Sequence, residues 1–240
     1  LPVAALGGWL FQWFEQQQKQ KTIRQLFGRY VSPSVMETLL HDPQQALLGA
    51  VGRRTITVLF TDINGFSTQC EKRSADEIME MLNRYFEAMN AIIFENGGTI
   101  KQFVGDEIMA LYGAPQHHPK PEQAALDTAV AMIRRLRTMK AADPDNNGFY
   151  EIKVGIHRGP VILGNVGSAE RTEYAAVGDD VNLGARIMSM TGALKADVLI
   201  SAELQAQVVA PLGVSFRSKG LHPVKGRVEP IEIVEVLIDS

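Results

Sequence analysis

The 240-residue chain carries 24 basic and 27 acidic side chains, a formal net charge of −3, and is 45% hydrophobic and 21% charged. That balance excludes collagen-like, coiled-coil-only and disordered chains and argues against wholesale nucleic-acid binding, while leaving room for a local basic cluster around a phosphate. The length allows one α/β domain of about 180–200 residues plus an appendage, and the single cysteine, Cys70, excludes a disulfide framework or a cysteine-rich zinc site.

Residues 1–14 are almost unbroken apolar. A bilayer-crossing helix needs about 20 such residues, but this chain begins at Leu1 rather than methionine. The run closes on Trp9 and Trp13, ahead of Lys19, Lys21, Arg24 and Arg29. Interfacial tryptophan followed by Lys and Arg marks the cytoplasmic end of a membrane helix, whereas a signal peptide puts its positive charge first. The expectation is the end of a transmembrane helix in an excerpt of a longer protein. The alternative is a helix buried in, or facing, a protein partner.

Residues 15–54 read as a helical linker. Ile23, Leu26, Phe27 and Tyr30 follow the i, i+3, i+4, i+7 spacing of one apolar stripe. Ser32-Pro33 then breaks the run, with Ser32 as N-cap and Pro33 at the first position of a second short helix ending near Leu40. Such a broken helix can pass a rotation to the domain behind it, or act as a passive tether.

The main domain is expected over residues 55–240. Residues 55–61 are β-branched and apolar, a buried strand. Residues 74–96 are helical, with Ile78, Met81, Leu82, Tyr85, Phe86, Met89, Ile92 and Ile93 on the apolar face. Strands at 99–104 and 108–112 flank Gly105-Asp106 as a hairpin tip, and 121–140 is a helix. Residues 150–157 and 161–166 read as two strands joined at Arg158-Gly159-Pro160. A helix at 180–190 and strands at 198–200 and 230–237 complete the chain. The order predicts an α+β fold, a ferredoxin-like split βαβ (βαββαβ) palm with a C-terminal α/β extension, preceded by the helical segment.

Asp62 follows an apolar strand directly and Asp106 stands at the hairpin tip. In a split βαβ sheet those strand ends are neighbours, and two carboxylates brought together there suit a hard divalent cation that completes its shell with substrate phosphate. Taken singly, each aspartate reads as a turn residue. Residues 63–67 form a loop in which Gly65 lets backbone N–H groups approach a phosphate. Asn182 and Arg186 lie i, i+4 on one helix face, suited to a ribose and a phosphoryl group, or to plain solvent. Lys153 opens an otherwise apolar strand, and Lys225-Gly226 is a turn where a phosphate could meet both ammonium and backbone. His117-His118 reads as a solvated loop, and His157 as structural.

Together these pieces resemble the class III nucleotidyl cyclases, the catalytic domain of adenylate and guanylate cyclases, of the bacterial membrane-anchored type. The resemblance rests on residues 59–66 (LFTDINGF), 103–110 (FVGDEIMA), 154–159 (VGIHRG), 174–182 (YAAVGDDVN) through Arg186, and 224–226 (VKG), in family order. Residues 27–33 (FGRYVSP) look like the helical transducer segment that precedes many such domains. The resemblance implies that Asp62 and Asp106, with the Ile63 carbonyl, hold two divalent cations, Mg²⁺ or Mn²⁺. It makes Asn182 the ribose-orienting amide and Arg186 the transition-state guanidinium. Lys225, Lys153 and the Gly65-Phe66 loop would take the triphosphate. It also implies a homodimer in which each site draws its metal residues from one subunit and Asn and Arg from the other, anchored in the inner membrane with the catalytic domain cytoplasmic.

The departure lies in base selection. The family's two purine-reading positions, usually Lys with Asp or Thr in adenylate cyclases and Glu with Cys or another small residue in guanylate cyclases, are here Gln102 and Ala175. Strand alternation would turn the neighbouring Lys101 away from a base that Gln102 faces. A glutamine amide both donates and accepts, so it can serve adenine or guanine. The expected activity is conversion of ATP to 3′,5′-cyclic AMP and pyrophosphate in signal transduction, adenylate cyclases being the commoner bacterial members. The alternatives are a guanylate cyclase using GTP, and a dimerising module that binds nucleotide without turnover.

Overall fold

Strand β1 (Gly52–Ile63) is apolar on both faces because both faces are covered. Leu59 and Ile63 point into one core, and Ile56, Val58 and Phe60 into a second on the opposite side. The computed structural model describes residues 51–143, 150–168 and 172–239. The apolar segment 1–14, the helical stretch to residue 50 and most of the loop expected at 143–148 lie outside the described residues. Residues 51–240 form one compact unit. β1 begins at Gly52, three residues earlier than its composition suggests, because its polar start pairs with the far half of β4.

After β1 come α1 (Phe66–Lys72), α2 (Ala75–Glu95), β2 (Thr99–Val104), β3 (Glu107–Tyr112), α3 (Pro121–Ala142), β4 (Ile152–Gly167) and β5 (Thr172–Val177). The chain continues through α4 (Asp179–Ser189), α5 (Thr191–Leu194), β6 (Val198–Ser201), α6 (Ala202–Gln205), β7 (Val214–His222) and β8 (Ile231–Ile238). The sheet runs β2-β3-β1-β4-β6-β8-β7, with β5 hydrogen-bonded to β4. Its first four strands, with α2 and α3 between them, are the split βαβ palm, and β6 to β8 are the extension. α2 starts on a capping box in which Ser74 and Glu77 satisfy each other's backbone N–H groups. Its Tyr85, Met89 and Ile93 pack with Leu126 and Met132 of α3 beneath the sheet.

β4 corrects the expectation of two strands joined at Arg158-Gly159-Pro160. It is one 16-residue strand, and all three of those residues pair with β1, opposite Thr57, Ile56 and Thr55. Proline is tolerated in a strand where its missing N–H costs no ladder bond. On its other edge β4 pairs with β6 over Val154–Ile156 and with β5 over Ile162–Gly167, so Pro160 falls in the gap between them. Gly159 is there for a different reason: a Cβ would lie 2.3 Å from Asp180 Cγ of α4. Gly155 likewise leaves room for the Met188 backbone, and Gly184 for the Val58 side chain. These close approaches let α4 lie flat on the sheet face opposite α2 and α3. β5 and β7 carry no strong periodic signal and are not apparent from the sequence.

Candidate active site

Asp62 lies near the end of β1, on the face shared by Val58 and Phe60, and Asp106 forms the β2–β3 turn behind Gly105, whose φ is +64°. Pairing of β1 with β3 brings the two together. Asp106 Oδ2 accepts the Ile63 N–H at 3.0 Å, and the Asp62 and Asp106 carboxyl groups share a hydrogen bond. Burial, and then the Asp62 hydrogen bond and charge, push the Asp106 carboxyl up to about 7. Burial and the Asp62 charge also raise Glu107. A carboxylate whose charge is disfavoured by burial and by a neighbouring carboxylate is one whose repulsion a cation would relieve. Among the described residues no cluster of three or more His, Cys, Asp and Glu forms a metal site. Two carboxylates beside the Ile63 backbone are a hard-oxygen donor set of the kind Mg²⁺ takes, its shell otherwise filled by water and substrate oxygens.

Lys153 is directly opposite Asp62 in the β1–β4 register, with Nζ 3.3 Å from Asp62 Oδ2. The structure thus joins this predicted phosphate ligand to the carboxylate pair. Gly65, at φ +69°, ends the loop after β1 and precedes α1, and Phe66 packs against the main core.

A second group forms around α4. Asn182 is exposed, and the Arg186 guanidinium donates to the Lys225 carbonyl from the turn at 224–227. Gly226, at φ +87°, makes that approach possible, since a Cβ there would lie 3.0 Å from Arg186 Nη1. Asp179 is 3.9 Å from Arg186 Nη1 and 2.8 Å from Arg227 Nε, and Asp180 also pairs with Arg227. Asp179, Asp180 and Arg227 escape sequence reasoning, since partners 47 residues apart leave no local signature. Among the described residues no hydrogen bond or ion pair links the Asn182, Arg186 and Lys225 group to the Asp62 and Asp106 group.

His157 is fully buried, with Nδ1 2.9 Å from Ser201 Oγ and Nε2 3.2 Å from Asp180 Oδ1. Burial, opposed by Asp180, keeps it below its ordinary value, so the neutral ring donates from Nε2 to Asp180 and accepts the Ser201 hydroxyl. The Ser–His–Asp order is no nucleophile: Ser201 is 3% exposed and its Oγ caps α6 by accepting the Leu204 N–H. A cavity of about 400 Å³ beside this group is lined by His157, Ser201, Glu203 and Arg227 but not by the carboxylate pair.

At Gln102, one of the two residues expected to read the base, the simple alternation expected of β2 is interrupted. A bulge lies between Ile100, opposite Ala110, and Gln102, opposite Met109. Gln102 therefore shares the Met109 face, on the α4 side, and the bulged Lys101 forms an ion pair with Glu173 of β5, two residues before Ala175. Tyr174 and Ala176 of β5 pack on the Met109 side, so by alternation Glu173 lies on the other face of that strand, and its ion pair with Lys101 leaves Gln102 on the α4 side without it.

Comparison with known proteins decides the family. The adenylate and guanylate cyclase catalytic domain matches residues 50–236. The chain belongs to that family. It is 34% identical over 189 residues to adenylate cyclase 1 of Rhizobium meliloti (strain 1021), covering 78% of this chain and 28% of that protein. It is 33% identical over 196 residues to an adenylate cyclase of Anabaena cylindrica, covering 79% of this chain and 38% of that protein. The cyclase domain thus accounts for well under half of either relative. Among solved structures, the adenylyl cyclase CyaB from P. aeruginosa superposes with a TM-score of 0.71 at 32% identity, covering 79% of this chain and 96% of that one. The guanylyl cyclase Cya2 does so with a TM-score of 0.68 at 33% identity, covering 78% and 93%.

Proposed function

We propose that this domain converts ATP to 3′,5′-cyclic AMP and pyrophosphate. The observation that carries the reading is the convergence of Asp62 and Asp106 at adjoining strand ends, with Asp106 raised to about 7. The ribose 3′-oxygen attacks the α-phosphorus, the bond to the bridging oxygen breaks, pyrophosphate leaves, and the 3′-hydroxyl proton goes to solvent. Asp62 and Asp106, with the Ile63 carbonyl, would hold two divalent cations. Bound there, such ions lower the pKa of the 3′-hydroxyl and offset triphosphate charge. Asn182 orients the ribose, Arg186 offsets charge building on the phosphorus, and Lys225, Lys153 and the Gly65-Phe66 loop hold the phosphate tail.

The two adenylate cyclases at 33–34% identity support ATP. GTP stays as the second reading because Gln102 can pair with either purine and Ala175 has no polar group to reject one. In our reading the domain works as a homodimer. The exposed apolar Ile162, Val166 and Val177 on the β4–β5 arm, and Phe103 and Val104 on β2, are surfaces a second copy would cover. The apolar 1–14 segment supports an anchor in the inner membrane, with the domain on the cytoplasmic side. Among the described residues no helix is long and apolar enough to cross a membrane.

The test is to incubate the purified protein with ATP or GTP and Mg²⁺ or Mn²⁺ and identify the products by mass. Cyclic AMP is expected. Arg186→Ala should lower turnover by about 10²–10³ with the fold intact, and wild-type rates in that variant would remove Arg186 from the site.

A further inference from the structure

The turn that carries Lys225 and the helix that carries Arg186 are 39 residues apart in sequence, yet the proposed reaction needs them in fixed relation. Besides the hydrogen bond from Arg186 to the Lys225 carbonyl, two anchors join them. One is apolar: Val224, 6% exposed, packs with Leu183 and Ile187 of α4, Leu199 of β6 and Ile233 of β8. The other is ionic: Arg227 reaches Asp179 at 2.8 Å and Asp180 besides, two carboxylates in the first turn of α4.

Asp180 is itself immobilised. It lies against the bare backbone of Gly159 and takes the Nε2 contact of the buried His157, whose other nitrogen meets Ser201 at the start of α6. A continuous path therefore runs from the sheet through His157 and Asp180 to Arg227 and the Lys225 turn. The guanidinium donates to Asp180 through Nη2 and meets the Asp179 charge 2.8 Å from Nε without a hydrogen bond there, so its breadth spans two carboxylates that a compact ammonium spans less well.

Resting on the cyclase reading above, we infer that Arg227 is a positioning residue. Through Asp179 and Asp180 it sets the placement of Lys225, which takes the phosphate tail, relative to Asn182 and Arg186, which act at the ribose and α-phosphate. The half-exposed Asp179 contact contributes little to stability, the more buried Asp180 keeps its His157 partner when Arg227 is removed, and Val224 anchors the turn without either. What the pair supplies is register, and a misplacement of about 1 Å at a reacting centre costs up to about 10² in rate.

The experiment measures kcat and KM for ATP, together with thermal midpoints, in the whole chain. Its variants are Arg227→Ala, Arg227→Lys, Asp180→Asn and the double variant Arg227→Ala/Asp180→Asn. Arg227→Ala should lower kcat by about 10- to 100-fold, with a smaller change in KM and a midpoint within about 3 °C of wild type. Arg227→Lys should recover part of the loss. Asp180→Asn should lower kcat as well, and the double variant should be no worse than Arg227→Ala alone. Three results overturn the inference: wild-type kinetics in Arg227→Ala, a loss of activity that tracks a large fall in midpoint, or an Asp180→Asn variant with unchanged kcat, which would mean Arg227 meets substrate directly. A wild-type chain that cyclises neither nucleotide would instead overturn the cyclase reading itself, so the two failures are separable.

Discussion

Asp106 joins two properties that conflict in a protein without bound cations: half-burial, and a second carboxyl at hydrogen-bond distance. Asp106→Asn removes the repulsion and a donor oxygen together. In chelator its thermal midpoint should equal or exceed that of wild type, while added Mg²⁺ should raise the wild-type midpoint and leave the variant unmoved. A variant that gains as much from Mg²⁺ as wild type would place the cation elsewhere. Glu235 of β8 shows the opposite balance. Burial raises its pKa, but Lys219 at 2.9 Å and Arg217 of β7 outweigh it, and the net shift is downward. A carboxylate with a depressed folded pKa adds stability that is complete above its unfolded value, about 4.3, and disappears as pH falls through the folded one. Glu235→Gln should cost about 1–3 kcal/mol at neutral pH, and the gap from wild type should narrow below about pH 4.5. Denaturant melts at several pH values would measure it, and a gap constant down to pH 3 would contradict this account.

At the scale of elements, α4 depends on glycines that are not its own. Gly155 of β4 leaves 2.3 Å between a would-be Cβ and the Met188 nitrogen, which is backbone and cannot rotate away. Gly155→Ala should therefore lift the helix, costing about 2–3 kcal/mol, and activity should fall with it because Asn182 and Arg186 ride on that helix. Denaturant unfolding would register the cost, and a stability equal to wild type would mean that the helix shifts freely. The unbroken β4 follows equally from its neighbours: the chain passes Pro160 without stopping because β6 and β5 engage its other edge before and after that residue, not at it. A local reading of Arg-Gly-Pro as a turn has no access to that.

For the whole molecule, the proposed site residues fall into two groups that no hydrogen bond or ion pair joins among the described residues. Asp62, Asp106 and Lys153 form one, and Arg186 with Lys225 the other. If each working site takes one group from each of two chains, mixing an Asp62→Ala chain with an Arg186→Ala chain should restore activity from two inactive proteins, with one intact site per heterodimer. Verified heterodimers that stay inactive would mean each chain completes its own site.

By itself, the sequence determined the palm's alternation of strands and helices, the apolar face of α2, the extent of α3, and the positions of Asp62, Asp106, Asn182 and Arg186 at strand ends or on a helix face. Those features are written locally, in apolar periodicity, turn residues and motif spacing. Tertiary structure alone decided that β4 is continuous, that β5 and β7 are strands, that a bulge delivers Lys101 to Glu173, and that Arg227 closes on Asp179 and Asp180. The physical reason is common to all four. Each depends on what lies across a sheet or over a helix rather than on local periodicity, and a side chain's partner is set by where the fold carries it rather than by its immediate neighbours in the chain.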